Sequence, residues 1–449
     1  MPQAIVRGGS SLAASFLPRV TSALTRPWVL ALLWLLVLAY AVRFALFKLP
    51  APPNFTDFNH FYVGALSLRL GSDPYIVRFD ALAHSLRLDI GVNHISNQPP
   101  TLLLCFEPLT RLGPRAAYWT WTGFSLISLI SALGLLLTSE TSLTPPQMLL
   151  FCALMFIYPP TYELFAFANT QNVVLLLIVA AICCLRRGWN CGAGLSLAMA
   201  ITLRAYPWTL AVYLVCRRQW RALLWMVTGG ALIGALTIWS IGPAHFLSFF
   251  DTWGFTNGRI FLAHPDDLSI NAFVSRRFWP PGNAPLTYNI ETTRKVAVAA
   301  VELAVFALTI AATIGPAPER GWRFLSLWTV AMILLPPTAH GHYLILLAVL
   351  FAAIAEAARK GEAAPRVIYA AIAGYLLTFS NYPLSFLQHY HRDDGALFRI
   401  ATEYCFAATA CAYLAAYWFA GTQRETAAAN GLTAALPAAA IAPLATRCR

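Results

Sequence analysis

The sequence predicts an all-α integral membrane protein, a multispan bundle of about 10–12 transmembrane helices with two long outer loops. Three observations predict it. Hydrophobic residues make up 58% of the 449 positions and charged residues only 11%, where a soluble domain carries about a quarter charged. Apolar runs recur at Trp28–Phe47, Ala116–Thr138, Val173–Leu185, Ala222–Ile241, Val296–Ile314, Phe324–Leu335, Tyr343–Ala355, Val367–Phe379 and Ile400–Ala420; a crossing needs roughly 20 such residues, fewer when part of it is buried in protein. The net charge of +12 is spread over clusters that flank these runs, which is the pattern of topology signals and not of a nucleic-acid surface.

Taken in order, Arg7, Arg19 and Arg26 precede the first run and place the N-terminus in the cytoplasm. Ala39-Tyr40-Ala41 resembles a signal-peptidase site, but the apolar stretch is long enough for an uncleaved anchor. The chain then alternates, with Arg186-Arg187, Arg217-Arg218-Arg221, Arg320-Arg323 and Arg359-Lys360-Arg366 on the inner side. Cys191–Cys216 conflicts with simple alternation, because basic clusters bracket both of its ends. Arg204-Ala205-Tyr206-Pro207 interrupts its middle, and proline disfavours helix at the residue before it. Two half-helices that enter and leave on the cytoplasmic side, with Arg204 at depth, resolve the conflict. Pro99–Thr110 is too short to span and reads as another half-helix. One membrane domain over 1–421 and a mobile cytoplasmic tail over 422–449 are expected, the tail being alanine-rich and free of aromatics.

All nine aspartates fall on the predicted outer side: Asp57, Asp73, Asp80 and Asp89 after the first span, Asp251, Asp266 and Asp267 in the second loop, Asp393 and Asp394 in the last. The nine cysteines show no metal spacing and sit mostly inside spans, so neither disulfides nor zinc are expected. Asp57 leads into an amphipathic stretch with apolar residues at 58, 61, 62, 65, 66 and 68, closed by Gly71. That stretch reads as a helix lying along the membrane surface, and Asp57 can be its N-cap as well as a reactive group. Asp266-Asp267 and Asp393-Asp394 can bind a divalent cation, although paired loop acids are usually just solvated.

The run from Asp57 through Gly71-Ser72-Asp73-Pro74-Tyr75 resembles the first loop of polyprenyl-phosphate-mannose-dependent glycosyltransferases, family 87. Further segments resemble that family in order. Gln98-Pro99-Pro100 and Pro108-Leu109 stand for its aromatic-Pro-Pro and Pro-Leu segment, with glutamine in place of the aromatic. Thr170-Gln171-Asn172 stands for Gly-Gln-x-Asn and Arg204-Ala205-Tyr206-Pro207 for Lys-x-x-Pro. Leu268–Arg276 resembles a segment ending in Gly-x-x-x-Arg, and Pro337–Tyr343 a Pro-x-x-Trp-x-His-Tyr turn with His340 at the tryptophan position.

The resemblance implies the C-type glycosyltransferase fold (GT-C), an active site on the non-cytoplasmic side of the cell membrane, and a polyprenyl-phosphate-sugar donor. It implies that Asp57 is the catalytic base, and no metal or other cofactor is expected. The chemistry fits: a sugar hydroxyl is a poor nucleophile and needs a base, worth about 10²–10⁴-fold, while a departing phosphate needs charge stabilisation. Direct displacement inverts the anomeric carbon without a second carboxylate. His342, His340, Tyr343, Arg276, Gln171 and Arg204 are then candidate substrate contacts. Each has a plainer alternative. His342 can anchor a helix at the interface; Arg276 and Arg277 can be a loop's solvated charge. Arg204 can bind carbonyls freed near Pro207, and Gln171 and Asn172 can hold helices together. Glu163 is a further polar candidate. The expected acceptor is a glycolipid or glycan among membrane lipids, and the expected sugar mannose or a related hexose. The rival reading is a secondary transporter or flippase for a polar or lipid-linked substrate. Against it stand the long outer loops, the acids outside mid-bilayer and the absence of an internal repeat. A polymerase or ligase of the same fold is a third.

Overall fold

The computed structural model describes residues 21–47, 57–91, 94–259, 267–278, 288–314, 322–380, 403 and 406–421. Arg7, Arg19, Asp266, Asp393, Asp394 and the tail 422–449 lie outside the described residues. Among those described the regular structure is helical, apart from one isolated antiparallel bridge between Asp267 and His340.

Local chemistry sets the helix limits. Helices begin at Pro27, Pro100, Pro114, Pro145, Pro159, Pro243 and Pro365, where the missing N–H costs nothing and φ is already helical. Five helices have the length and apolar composition of a span. They are α1 (Pro27–Phe47), α5 (Pro114–Glu140), α11 (Trp220–Ile241), α14 (Tyr288–Thr313) and Gly341–Arg359, which is a 3₁₀ stretch, Gly341–Leu347, running into α16 (Ala348–Arg359). A sixth is α6 (Pro145–Ile157) plus α7 (Pro159–Phe167), bent by 54° where Tyr158 turns extended before Pro159-Pro160. Shorter apolar helices complete the bundle: α8 (Gln171–Arg186), α9 (Asn190–Leu203), α10 (Thr209–Cys216), α15 (Trp322–Leu334), α17 (Pro365–Leu377) and α18 (Phe406–Gly421). Large apolar side chains such as Leu32, Leu35, Leu38, Leu224, Leu232, Leu236 and Trp239 stand exposed on the outer faces of α1 and α11, as a hydrocarbon environment requires.

The interrupted segment at Arg204 is built as the sequence expects. α9 stops where Arg204 becomes extended, a short turn over Tyr206–Trp208 follows, and α10 departs. α9 and α11 run side by side in the same direction: Gly194 lies against Ala222, Trp225 and Met226, and Gly229 against Leu195 and Ala198. The chain between them therefore goes in and comes back.

The two ends of the bundle differ. At one end Glu140 pairs with Arg186, Glu356 accepts the Ser142 N–H and hydroxyl and pairs with Lys360, and Arg323 pairs with Glu362. Arg186, Arg323, Arg359 and Lys360 thus gather there as the sequence implies, but three glutamates join them, so among the described acids it is the aspartates that segregate. The other end carries α2 (Asp57–Arg69), α3 (Asp80–Ser85), α4 (Pro100–Phe106), α12 (Pro243–Arg259) and α13 (Ile270–Phe278). Here one expectation fails. α2 does not lie along a surface: Phe58, Asn59, His60, Phe61, Tyr62, Val63, Gly64 and Ala65 are all buried. Phe58, Phe61 and Tyr62 form a second apolar core with Phe106, Tyr118 and Trp121. The apolar positions 58, 61, 62, 65, 66 and 68 face protein because α4 packs against this helix. Gly71, at φ +79°, ends α2 and lets the Ser72 N–H reach the Ser67 carbonyl.

Candidate active site

The site lies where this outer core meets the bundle. Asp57 is the first residue of α2 and keeps 35% of its side-chain surface exposed. His342 comes from the bundle, in the fully buried 3₁₀ stretch Gly341–Leu347. Its Nε2 stands 4.0 Å from Asp57 Oδ2 and has no hydrogen-bond partner among the described residues.

α7 ends at Ala168 in the left-handed region, φ 50°, an unusual conformation for alanine and of a kind that clusters at functional sites. The Trp121 indole N–H binds the Ala168 carbonyl at 2.8 Å and holds the turn. The turn sends Asn169 to Asp57: Asn169 Nδ2 donates to Asp57 Oδ2 at 2.5 Å. Arg204, at the break between half-helices, donates from Nε to Thr170 Oγ1 at 2.8 Å and from Nη1 to Gln98 Oε1 at 2.9 Å. Its Nη2 reaches Asn169 Oδ1 at 3.4 Å, and the guanidinium lies over the Phe61 ring. Burial alone would raise the Asp57 carboxyl. His342, Arg204, the Asn169 amide and His340 together outweigh it and hold the carboxyl below the ordinary aspartate value.

A second layer orients the histidines. Asp267, fully buried, accepts through Oδ1 from the Ser269 N–H at 2.8 Å and the Ala339 N–H at 2.9 Å. The Leu268 N–H donates to the Ala339 carbonyl, and Asn271 Nδ2 to that of Pro337. The strap from Pro337 to His340 is thereby clamped to the start of α13. Burial raises the Asp267 carboxyl, against the pull of His340 and of these N–H donors. The rings of His340, His342 and Tyr343 lie within 5.0–6.2 Å of one another.

Of the residues singled out from sequence, Asp57, His342, His340, Tyr343 and Arg204 converge here. Gln171 stands one layer back: its Oε1 accepts the Tyr206 hydroxyl, whose ring lies 5.1 Å from that of Tyr343. Asn172 binds Ser125 on α5 and joins helices. Arg276 is bound to the strap's partner, Nη1 to the Asp267 carbonyl at 3.1 Å. Glu163 packs against Gly341, where an added Cβ would collide with its carboxylate. Sequence reasoning missed Asn169. The signal was present in Asn169-Thr170-Gln171-Asn172, four polar side chains opening an otherwise apolar helix.

An apolar helical body with a carboxylate, imidazoles and a guanidinium gathered at one end of its spans is a multi-pass membrane protein with a polar cluster at that end. The chain belongs to glycosyltransferase family 87, whose profile matches residues 98–337, more than half of the sequence. That membership carries the C-type fold expected above. The matched stretch includes Gln98, Gln171, Arg204 and Arg276 but neither Asp57 nor the His340–Tyr343 turn; geometry brings those to the site. The chain is 30% identical over 241 residues to a polyprenol-phosphate-mannose-dependent alpha-(1-2)-phosphatidylinositol mannoside mannosyltransferase of Mycobacterium tuberculosis. It spans about half the length of that relative, the match covering 49% of this chain and 54% of the other. The structure is also similar to the crystal structure of ArnT from Cupriavidus metallidurans in the apo state. Identity is 12%, the TM-score is 0.38, and 88% of this chain and 78% of that one are covered.

Proposed function

We propose that this protein transfers a hexose, mannose being favoured, from a polyprenyl-phosphate donor to a lipid-linked or glycan acceptor on the non-cytoplasmic face of the cell membrane. Asp57 is the general base. It takes the proton of an acceptor hydroxyl as that oxygen attacks the anomeric carbon, and the C–O bond to the polyprenyl phosphate breaks with its electron pair leaving on the phosphate. The configuration inverts. His342, His340, Tyr343 and Arg276 meet the sugar and the phosphate charge, with Gln171 supporting Tyr343 through Tyr206. Residues 1–421 form one domain for this purpose and 422–449 a cytoplasmic tail. The observation that carries the reading is Asp57 itself: a carboxylate favoured in its ionised form, open to solvent and facing an imidazole, in a family 87 chain.

The positive-inside rule supports the sidedness, because the site lies at the end of the bundle away from Arg186, Arg323, Arg359 and Lys360, with the N-terminus cytoplasmic. A lipid-linked donor suits such a place, its tail in hydrocarbon and its sugar at the interface. The test is transfer from radiolabelled polyprenyl-phosphate-mannose to membrane glycolipids by purified wild type and Asp57→Asn. Loss of transfer with intact expression is expected, and equal rates would remove Asp57 from the mechanism. Sidedness is read with an impermeant maleimide on intact cells in a cysteine-free background: Leu70→Cys should label and Arg187→Cys should not.

A further inference from the structure

We infer that Arg204 and Asn169 form a positioning relay for Asp57: the guanidinium fixes the side-chain amide, and the amide N–H holds one carboxylate oxygen so that the other faces the acceptor hydroxyl. The inference rests on the reading of Asp57 as base.

The geometry leaves the amide one orientation. Asn169 is 2% exposed and Thr170 fully buried. Asn169 Oδ1 accepts the Thr170 backbone N–H at 2.6 Å and Arg204 Nη2 at 3.4 Å, while Thr170 Oγ1 also lies 3.4 Å away. An amide nitrogen placed there would confront two N–H donors, and the flipped oxygen would confront the Asp57 carboxylate. Nδ2 must therefore face Asp57 Oδ2. Arg204 secures this from two directions, through Asn169 Oδ1 and through Thr170 Oγ1. Its third side-chain partner is Gln98, and its flat face lies over Phe61. These donors are turned to protein, which makes Arg204 a positioning residue. Asp57 Oδ1 has no hydrogen bond among the described residues, and it is the oxygen left for the incoming proton.

A donor on Oδ2 favours the ionised carboxylate, and charge-assisted hydrogen bonds are about twice as strong as neutral ones. Asn169→Ala should therefore move the acid limb of the kcat/KM profile upward by about one pH unit. Arg204→Lys keeps the charge but not the planar fork that reaches Thr170, Gln98 and Asn169 together. It should move the limb in the same direction, and the double variant should move it no further than Asn169→Ala alone. A wild-type profile in Arg204→Lys would show that charge alone suffices, and additive shifts would show that the two residues act independently; either overturns the relay. Should Asn169→Ala not fold, Asn169→Asp keeps the shape and the Oδ1 acceptor while setting a carboxylate against Asp57. Its limb must then rise further, and an unmoved limb overturns the relay. Asp57→Asn separates this from the parent reading. Normal transfer by that variant removes the base and the relay together; an inactive Asp57→Asn beside an unmoved Asn169→Ala limb removes the relay only.

Discussion

His342 Nε2 stands 4.0 Å from Asp57 Oδ2, too far for a hydrogen bond and too near to leave the two independent. A substrate oxygen other than the attacking hydroxyl, about 2.8 Å from each atom, would bridge them. That placement suits an imidazole which binds substrate better than one which caps a helix, since Nε2 makes no bond within the described chain. His342→Ala should cost about 10²–10³ in kcat/KM, the scale of a lost donor at a developing charge, with the thermal transition little changed. His342→Gln, which keeps an N–H in reach, should recover part of the rate. An anchoring role would give the reverse, a lowered transition with the rate preserved.

With Asp57 as the proposed base, its charge state sets the expected pH dependence. A base works ionised, and its neighbours hold Asp57 below the ordinary aspartate value. Activity governed by this group is therefore present at neutral pH and falls only as pH drops through that lowered value. A kcat/KM profile should stay level from pH 7 through the ordinary aspartate range and bend only below it. A limb appearing above that range would mean that burial, and not the cationic and amide partners, dominates.

Asp267 carries a different expectation, since it is a clamp and not a base. Its Oδ1 satisfies the Ser269 and Ala339 N–H groups inside the protein. Asp267→Asn retains that acceptor and should keep the fold. Asp267→Ala leaves two buried donors unpaired, at about 1–3 kcal/mol each, and frees the strap that carries His340. Thermal melts in detergent should separate the two variants, with the alanine form the less stable and the poorer enzyme. Equal melts would refute the clamp. The raised carboxyl of Asp267 gives a sign as well. A group that holds its proton more tightly when folded adds stability at low pH and loses it as pH rises through the folded value. Asp267→Asn should therefore flatten the pH dependence of the melt on that limb.

What the sequence made legible was what rests on one element at a time. The break at Arg204 followed from Pro207 and the basic flanks, and the end of α2 from Gly71. Asp57, His342 and Arg204 stood out by residue type and do come together, whereas Arg276 binds the Asp267 carbonyl. The burial of α2 and the contact of Asn169 with Asp57 were not legible, because both depend on partners far along the chain. Asp57 and Asn169 are separated by 112 positions, and only the left-handed turn at Ala168 aims the amide. No local propensity announces a left-handed alanine.

The parallel packing of α9 and α11 tests the re-entrant arrangement on which Arg204 depends. An added Cβ at Gly194 would lie 2.5 Å from the Ala222 carbonyl oxygen and 2.6 Å from the Met226 nitrogen. Both are backbone atoms, so no side chain can swing aside, and the helices themselves must part. Small residues allow this close approach where lipid supplies no hydrophobic drive between helices. Gly194→Ala should destabilise by roughly 1–3 kcal/mol, the scale of overpacking. It should also displace Arg204, which lies one short helix away, and so lower transfer in the protein that still folds. Gly230→Ala and Gly234→Ala on α11 meet nothing within 4 Å and should melt at or above the wild-type temperature, because alanine is the better helix former. If all three behave alike, α9 does not seat against α11 through Gly194, and the depth assigned to Arg204 loses its support.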